Sequence, residues 1–335
     1  LCNSSNLIVP PHLNAEVYRS DTTGVTSVSY LDYICLHPDD GVLIGCSELT
    51  SRYWNGGATY YKTVQEAQKS QNYSKTDICL TSGTADGCFV ESSSKVLLCE
   101  DNGTVSVWAA SNSETWKMWE KVVSAAEHDN AALAVDTLDS GKEYVTAGAD
   151  GNVKVWDINE MICARNYIAA HTLAVYCVSV RPNSSKTFAT GSQDEYVTLW
   201  DNDTCNVSDD LAKNDCGVRC LQWLDDNKLL LGDEAGILSL VDVRKPGEIT
   251  KLSGFPAAVH KIAVHPESPK VAICCDNKIV SVCDISEDLM ANVIYHDRHM
   301  HSNYVRGVAW DLKNSKTLHS VGWDREIKTH HVEWE

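Results

Sequence analysis

GADGNVKVWD, residues 148–157, and its near copy GSQDEYVTLWD, residues 191–201, decide the fold of this chain. In each, a turn containing Gly and Asp leads into alternating β-branched and polar residues and ends on Trp-Asp. This is the signature of a hairpin feeding a half-buried strand. The motif recurs outward in both directions as VSVWA at Trp108, LSLVD at Val241 and VSVCD at Cys283. Two degenerate copies flank these: GATYYK, with Thr59 in the Trp position, and EIKTHHV, with His330 there. Seven copies spaced 41 to 49 residues apart predict an all-β chain built as a seven-bladed propeller, because that period is one four-stranded blade. Another apolar strand precedes each turn, as in VYCVSV from Val175, CLQWL from Cys220, HKIAVH from His260 and VRGVAW from Val305.

The Trp-Asp endings, each preceded by a His and a turn Asp, resemble the WD repeat. Position by position, His128, Thr146, Asp150 and Trp156 fit one tetrad, and His171, Thr190, Asp194 and Trp200 a second. His301, Ser320 and Asp324 fit a third, with His330 replacing the Trp. In that family the four groups form a buried hydrogen-bond chain within a blade, so the resemblance gives these His and Asp residues a structural role. Asn102, Ala235 and Asn277 stand at the turn-Asp position of other copies, and those blades are expected to rely on packing.

Composition narrows the function. The 335 residues carry 46 acidic and 28 Lys and Arg side chains, a net charge of −18. That field repels phosphate backbones and anionic membranes and attracts basic partners, which speaks against direct nucleic-acid binding. No apolar run reaches the ~18 residues of a membrane span. The 14 Cys show no CxxC pair and read as small buried hydrophobes of a reducing compartment, consistent with cytoplasm or nucleus. The sequons at Asn72 and Asn102 read as chance in an Asn- and Ser-rich chain, and no signal peptide is recognised.

One domain is expected: residues 1–30 as an N-terminal extension and residues 31–335 as the propeller. The chain ends soon after His330, so a segment around Ala15 to Arg19 is expected to supply the closing strand of the last blade and cover its edge. Lys62 to Lys75 and Ser111 to Lys121 exceed hairpin length and read as surface excursions.

No catalytic or cofactor constellation emerges. GxxxxGK[ST], GxSxG and HExxH are absent. The run His296-Asp297-Arg298-His299-Met300-His301 offers metal-ligand types, but His301 already belongs to a tetrad and alternate residues of one strand close a tetrahedral shell poorly. The His330-His331 pair points to opposite strand faces. Asp39-Asp40, Asp209-Asp210 and Asp225-Asp226 suit turns. No enzyme activity, cofactor or metal is therefore expected.

Binding surface is the remaining source of function. In SELTSRYWNGG, residues 47–57, the Asn55-Gly56-Gly57 run reads as a turn that places Arg52, Tyr53 and Trp54 on the first-blade hairpin. An outward Trp buries ~200 Å² on a partner. Tyr295 and Tyr304, near His301, are weaker contact candidates. LIGCSELTSRYW (43–54), GDEAGILSLVD (232–242), YVRGVAW (304–310) and SVGWDREIKTHHV (320–332) resemble the methylosome WD-repeat family, the adaptor subunit of the type II, symmetric, protein arginine methyltransferase. The resemblance implies a hetero-oligomer in which the first-blade hairpin Trp, matched by Trp54 with Arg52 beside it, docks on the N-terminal barrel domain of the enzyme. It also implies presentation of basic, Arg/Gly-rich substrates such as Sm-protein and histone tails, which an acidic surface would attract. The alternative is a generic WD adaptor, a histone reader or ubiquitin-ligase receptor, binding a peptide at a channel mouth ringed by acidic and aromatic residues.

Overall fold

The computed structural model describes residues 30–49, 54–69, 77–111, 118–138, 141–203, 206–285 and 290–334. Its strands form seven antiparallel sheets, six of four strands and a last one of three. Each sheet is a simple meander running outward from an inner strand, and the inner strand of each blade packs on that of the next, the seventh closing on the first. The chain is a seven-bladed β-propeller.

The alternation in the sequence explains where the core lies. Each blade is apolar on both faces, so the core divides into seven clusters, one per blade interface. Leu97, Val105 and Val107 of the second blade meet Tyr144 and Trp156 of the third. Val145, Val153 and Val155 meet Phe188 and Trp200. The ring closes where Leu31, Ile34 and Val42 meet Val321 and Ile327. Polar ties reinforce the interfaces: Trp223 Nε1 donates to the Ser179 carbonyl at 3.0 Å, Trp310 Nε1 to that of Ala263 at 2.9 Å, and the Val180 N–H to Asp136 at 2.7 Å.

The third strand of the third blade, Val153–Asp157, pairs Trp156 with Tyr144, and that of the fourth, Tyr196–Asp201, pairs Trp200 with Phe188. The corresponding pair in the first blade is Val42 with Tyr61, whereas Thr59 lies opposite Ile44. Tyr61 therefore occupies the first-blade Trp position, and the expectation for Thr59 is corrected by two residues. The Asn55-Gly56-Gly57 run is likewise not the turn: these residues lie inside the strand Trp54–Tyr61, opposite Glu48, Ser47 and Cys46. Gly56 is needed there because a Cβ would stand 2.7 Å from the Cys46 carbonyl oxygen.

The excursion after Lys62 contains a short helix, Val64–Lys69, whose Val64 and Ala67 are buried. Thr63 and Glu66 make a capping-box pattern, with the Glu66 N–H donating to Thr63 Oγ1 and Glu66 accepting from the Lys62 N–H. Gln68 then donates to the Ile327 carbonyl and Thr329 Oγ1 on the edge strand of the last blade. The second excursion is shorter than expected, because Trp119 already opens the outer strand Trp119–Ala126. Ala15 to Arg19, the expected closing strand, lie outside the described residues, as does all of the extension up to residue 29. No described helix is long and apolar enough to cross a membrane.

Candidate partner-binding surface

The tetrads lie at the face where inner strands begin. His128 Nδ1 is 3.1 Å from Asp150, its Nε2 is 2.9 Å from Thr146 Oγ1, and Trp156 Nε1 donates to that hydroxyl at 2.8 Å. The fourth blade repeats this with His171 to Asp194 at 3.1 Å, His171 to Thr190 at 2.7 Å and Trp200 to Thr190 at 2.8 Å. The network assigns the tautomer: Nδ1 carries the proton toward the carboxylate and Nε2 accepts from the hydroxyl. Burial works against the Asp150 carboxylate, but hydrogen bonds from His128 and Asn152 hold it down at about 2. Burial keeps His171 below its ordinary value despite Asp194.

In the last blade His301 meets Asp324 at 2.8 Å and Ser320 at 2.7 Å, and Ser320 meets His330 Nε2 at 2.7 Å. Tyr295 continues the chain, its hydroxyl 2.9 Å from His330 Nδ1. Tyr295 is therefore engaged inside the molecule, and its role as a partner contact is corrected to a structural one. The second and fifth blades also replace the tetrad, with a buried acid at the end of the second strand. Ser106 donates to Glu100 at 2.7 Å while Trp108 Nε1 donates to Ser106. Asn214 donates to Asp233 at 3.0 Å, and Asp233 also accepts the Ile237 N–H. The expectation of packing alone is thus overturned for these two blades. The signal was present as an acid two residues before the turn position.

The first-blade hairpin joins Leu49 to Trp54, which pair directly, through residues 50–53. Ser47, near the end of that second strand, lies opposite Tyr30, where the inner strand starts. The hairpin therefore leaves on the tetrad-turn face. Arg52, Tyr53 and the Trp54 side chain lie outside the described residues.

On the same face the channel mouth is bounded by a regular device. Each inner strand carries a register shift that leaves one residue unpaired: Asp32, Ala85, Leu133, Tyr176, Arg219, His260 and Arg306, one per blade. Bulges of this kind re-aim side chains at barrel rims and sites. The resulting ring mixes charges. It is not made of acidic and aromatic residues alone. In the seventh blade Arg306 stacks on Trp323 at 4.1 Å and pairs with Asp276 of the sixth blade at 2.6 Å. Trp323 Nε1 donates to Asp32 at 2.9 Å, and burial pushes the Asp32 carboxyl up to about 6 despite its hydrogen bonds from Ser47 and Trp323. Tyr304 packs edge-on against Trp323 and is 43% exposed, so this aromatic cluster continues to the surface.

Among the described residues no three His, Cys, Asp or Glu side chains are grouped as a metal site. His296 bonds Ser281 and His301 serves its tetrad. Burial raises the thiols of Cys35 and Cys177, to about 11 and about 12, and Cys88 and Cys220 are raised as well. That makes them poor nucleophiles at neutral pH.

The WD domain, G-beta repeat model matches residues 119–157 and 163–201. Methylosome protein WDR77 of Xenopus laevis is 26% identical over 304 residues, covering 88% of this chain and 87% of that protein. WD repeat-containing protein SL1-17 of Schistosoma mansoni is 26% identical over 57% of this chain and 62% of its own length. The ribosome biogenesis protein WDR12 homolog of Drosophila mojavensis is 27% identical over 71% of this chain and 60% of its own. The chain is a seven-bladed WD-repeat propeller whose resemblance to the methylosome WD-repeat proteins runs over most of its length.

Proposed function

We propose that this chain is the non-catalytic adaptor of a methylosome-type complex: it binds and stabilises a type II protein arginine methyltransferase and presents Arg-rich tails to it. The observation that carries this reading is the match to Methylosome protein WDR77 over 88% of this chain and 87% of that protein, since a single shared repeat would cover only a fraction of either. The first-blade hairpin, with Arg52 and Trp54, is the docking element. A rigid ring of sheets suits it, because an aromatic anchor on a preorganised scaffold loses little entropy on association. The net charge of −18 supports the second half of the reading, since cationic Arg/Gly-rich tails are steered toward an acidic surface.

Affinity purification from the native cell, followed by identification of stoichiometric partners, tests the reading. An arginine methyltransferase should dominate. Its absence from a preparation in which the propeller is intact would sink the proposal.

A further inference from the structure

The unpaired bulge residues do not all find partners inside the protein. Asp32 and Arg306 do, as described above. Arg219, from the fifth blade, does not, and His260, from the sixth, has partners at only one ring nitrogen, Nδ1, which lies near Arg306 and 3.7 Å from Asp276. The Arg219 guanidinium lies over the Tyr176 ring at 4.5 Å, and among the described residues no carboxylate or hydrogen-bond acceptor pairs with it. In a chain carrying −18, an unpaired guanidinium at the channel is the exception.

His260 is its neighbour. Burial first, and then the charges of Arg306, Arg219 and Lys261, drive its imidazole well below the ordinary value, so the ring is neutral. Its Nδ1 lies 3.1 Å from Arg306 Nη1 and accepts from it. In a neutral ring with that acceptor, the proton sits on Nε2. Among the described residues no acceptor takes this donor. Lys261 adds a second cation to the cavity lining, held by Asp86 at 3.6 Å across the channel.

These groups line one wall of a cavity of about 430 Å³. The opposite wall carries Asp86 and Asp136, and apolar residues such as Leu133 and Leu221 also line the cavity. Mostly apolar cavities of ~300–1,000 Å³ with a few convergent polar groups are the usual form of a small-molecule site. The polar groups here are sorted by sign, with donors on the fifth and sixth blades and acceptors on the second and third.

We propose that this end of the channel is a binding site for a small molecule bearing an oxyanion, phosphate or carboxylate, gripped by the free guanidinium of Arg219 and the Nε2–H of His260, with hydroxyl or amine groups turned toward Asp86 and Asp136. Arg219 engages the oxyanion through two parallel N–H···O bonds, a geometry that Lys does not reproduce. Neither the hairpin nor methyltransferase docking is involved, so the site stands whether or not that reading holds.

Thermal unfolding of the full chain, titrated with inorganic phosphate or with acetate at ionic strength held constant by chloride, tests this. A saturable rise in Tm is expected for at least one of the two, and Arg219→Gln should weaken the apparent affinity about tenfold. General salting-in or exclusion effects of phosphate do not saturate and would act equally on the variant. Saturation by phosphate alone assigns a phosphorylated ligand, and saturation by acetate a carboxylate. The site is overturned if neither anion saturates, or if Arg219→Gln responds as the wild type does. Should Arg219→Gln fold poorly, Arg219→Lys gives the same reading, because it keeps the charge and loses the fork.

Discussion

Tyr295 and His330 join the sixth blade to the seventh: the phenol donates to the imidazole Nδ1 at 2.9 Å, and His330 Nε2 in turn reaches Ser320 at 2.7 Å. The protons run in one direction, from Tyr295 through His330 and Ser320 to His301 and Asp324, and each group is satisfied with His330 neutral. Burial, then the neighbouring His301, holds the His330 imidazole down at about 4 against an ordinary 6.5. The unfolded chain therefore binds a proton at pH 4 to 6.5 that the folded one refuses. The stability contributed is complete above pH 6.5 and is lost as pH falls toward 4, about 2 kcal/mol of it by pH 5.

Asp32 and Asp136 act in the opposite sense, since burial raises both carboxyls to about 6 and the folded state gains as pH falls from there toward 4. His330→Trp isolates the histidine, because an indole N–H can donate to Ser320 as Trp156 does to Thr146. Urea unfolding at pH 7 and pH 5 should show the variant losing about 2 kcal/mol less than the wild type. Parallel pH profiles would refute the assignment.

Asp194 accepts from His171 and from the backbone N–H groups of Thr172 and Tyr196. Asp194→Ala strips all of these from a buried network and should destabilise the fold by about 1–3 kcal/mol. Chemical denaturation is the measurement, and a loss under a few tenths of a kcal/mol would show that the network is dispensable.

In the second blade the acid that matters is Glu100, not the residue at the turn. Glu100→Ala orphans the buried Ser106 hydroxyl and should cost about 1–3 kcal/mol. Asn102 chiefly caps its own turn by accepting from the Thr104 N–H, so Asn102→Ala should cost less than Glu100→Ala. The reverse order would return the second blade to the ordinary tetrad scheme.

On the docking role proposed above, Trp54→Ala should leave unfolding of the isolated propeller unchanged within about 0.5 kcal/mol and weaken assembly with the proposed methyltransferase partner by about 2–4 kcal/mol. Co-purification at wild-type yield contradicts the docking role. In the assembled complex, methylation of an Arg-rich peptide should lose its dependence on the adaptor at high salt. Persistence of that dependence argues against electrostatic recruitment.

The blade count was legible because the third strands recur at a near-constant spacing with local alternation, four of them ending on Asp, at Asp157, Asp201, Asp242 and Asp284. The first-blade register was not, since a Gly-Gly pair inside a strand mimics a turn until its partners Ser47 and Cys46 are known. Tyr295 could not be placed by local pattern because its partner is 35 residues away on another blade. The channel ring escaped for a related reason. A bulge is a property of two strands in register, and nothing in VRCLQW alone marks Arg219 as the residue left out.

The repeat units matched by the family model, 119–157 and 163–201, each begin on the outer strand of one blade, Trp119–Ala126 or Ile162–Tyr167, and finish on the third strand of the next. Adjacent sheets are thus stitched by shared units, and the unit of inheritance is not the unit of folding. Excising one repeat would unravel two sheets at once, so the ring should melt as a single cooperative body where an open stack of modules would shed its members one by one.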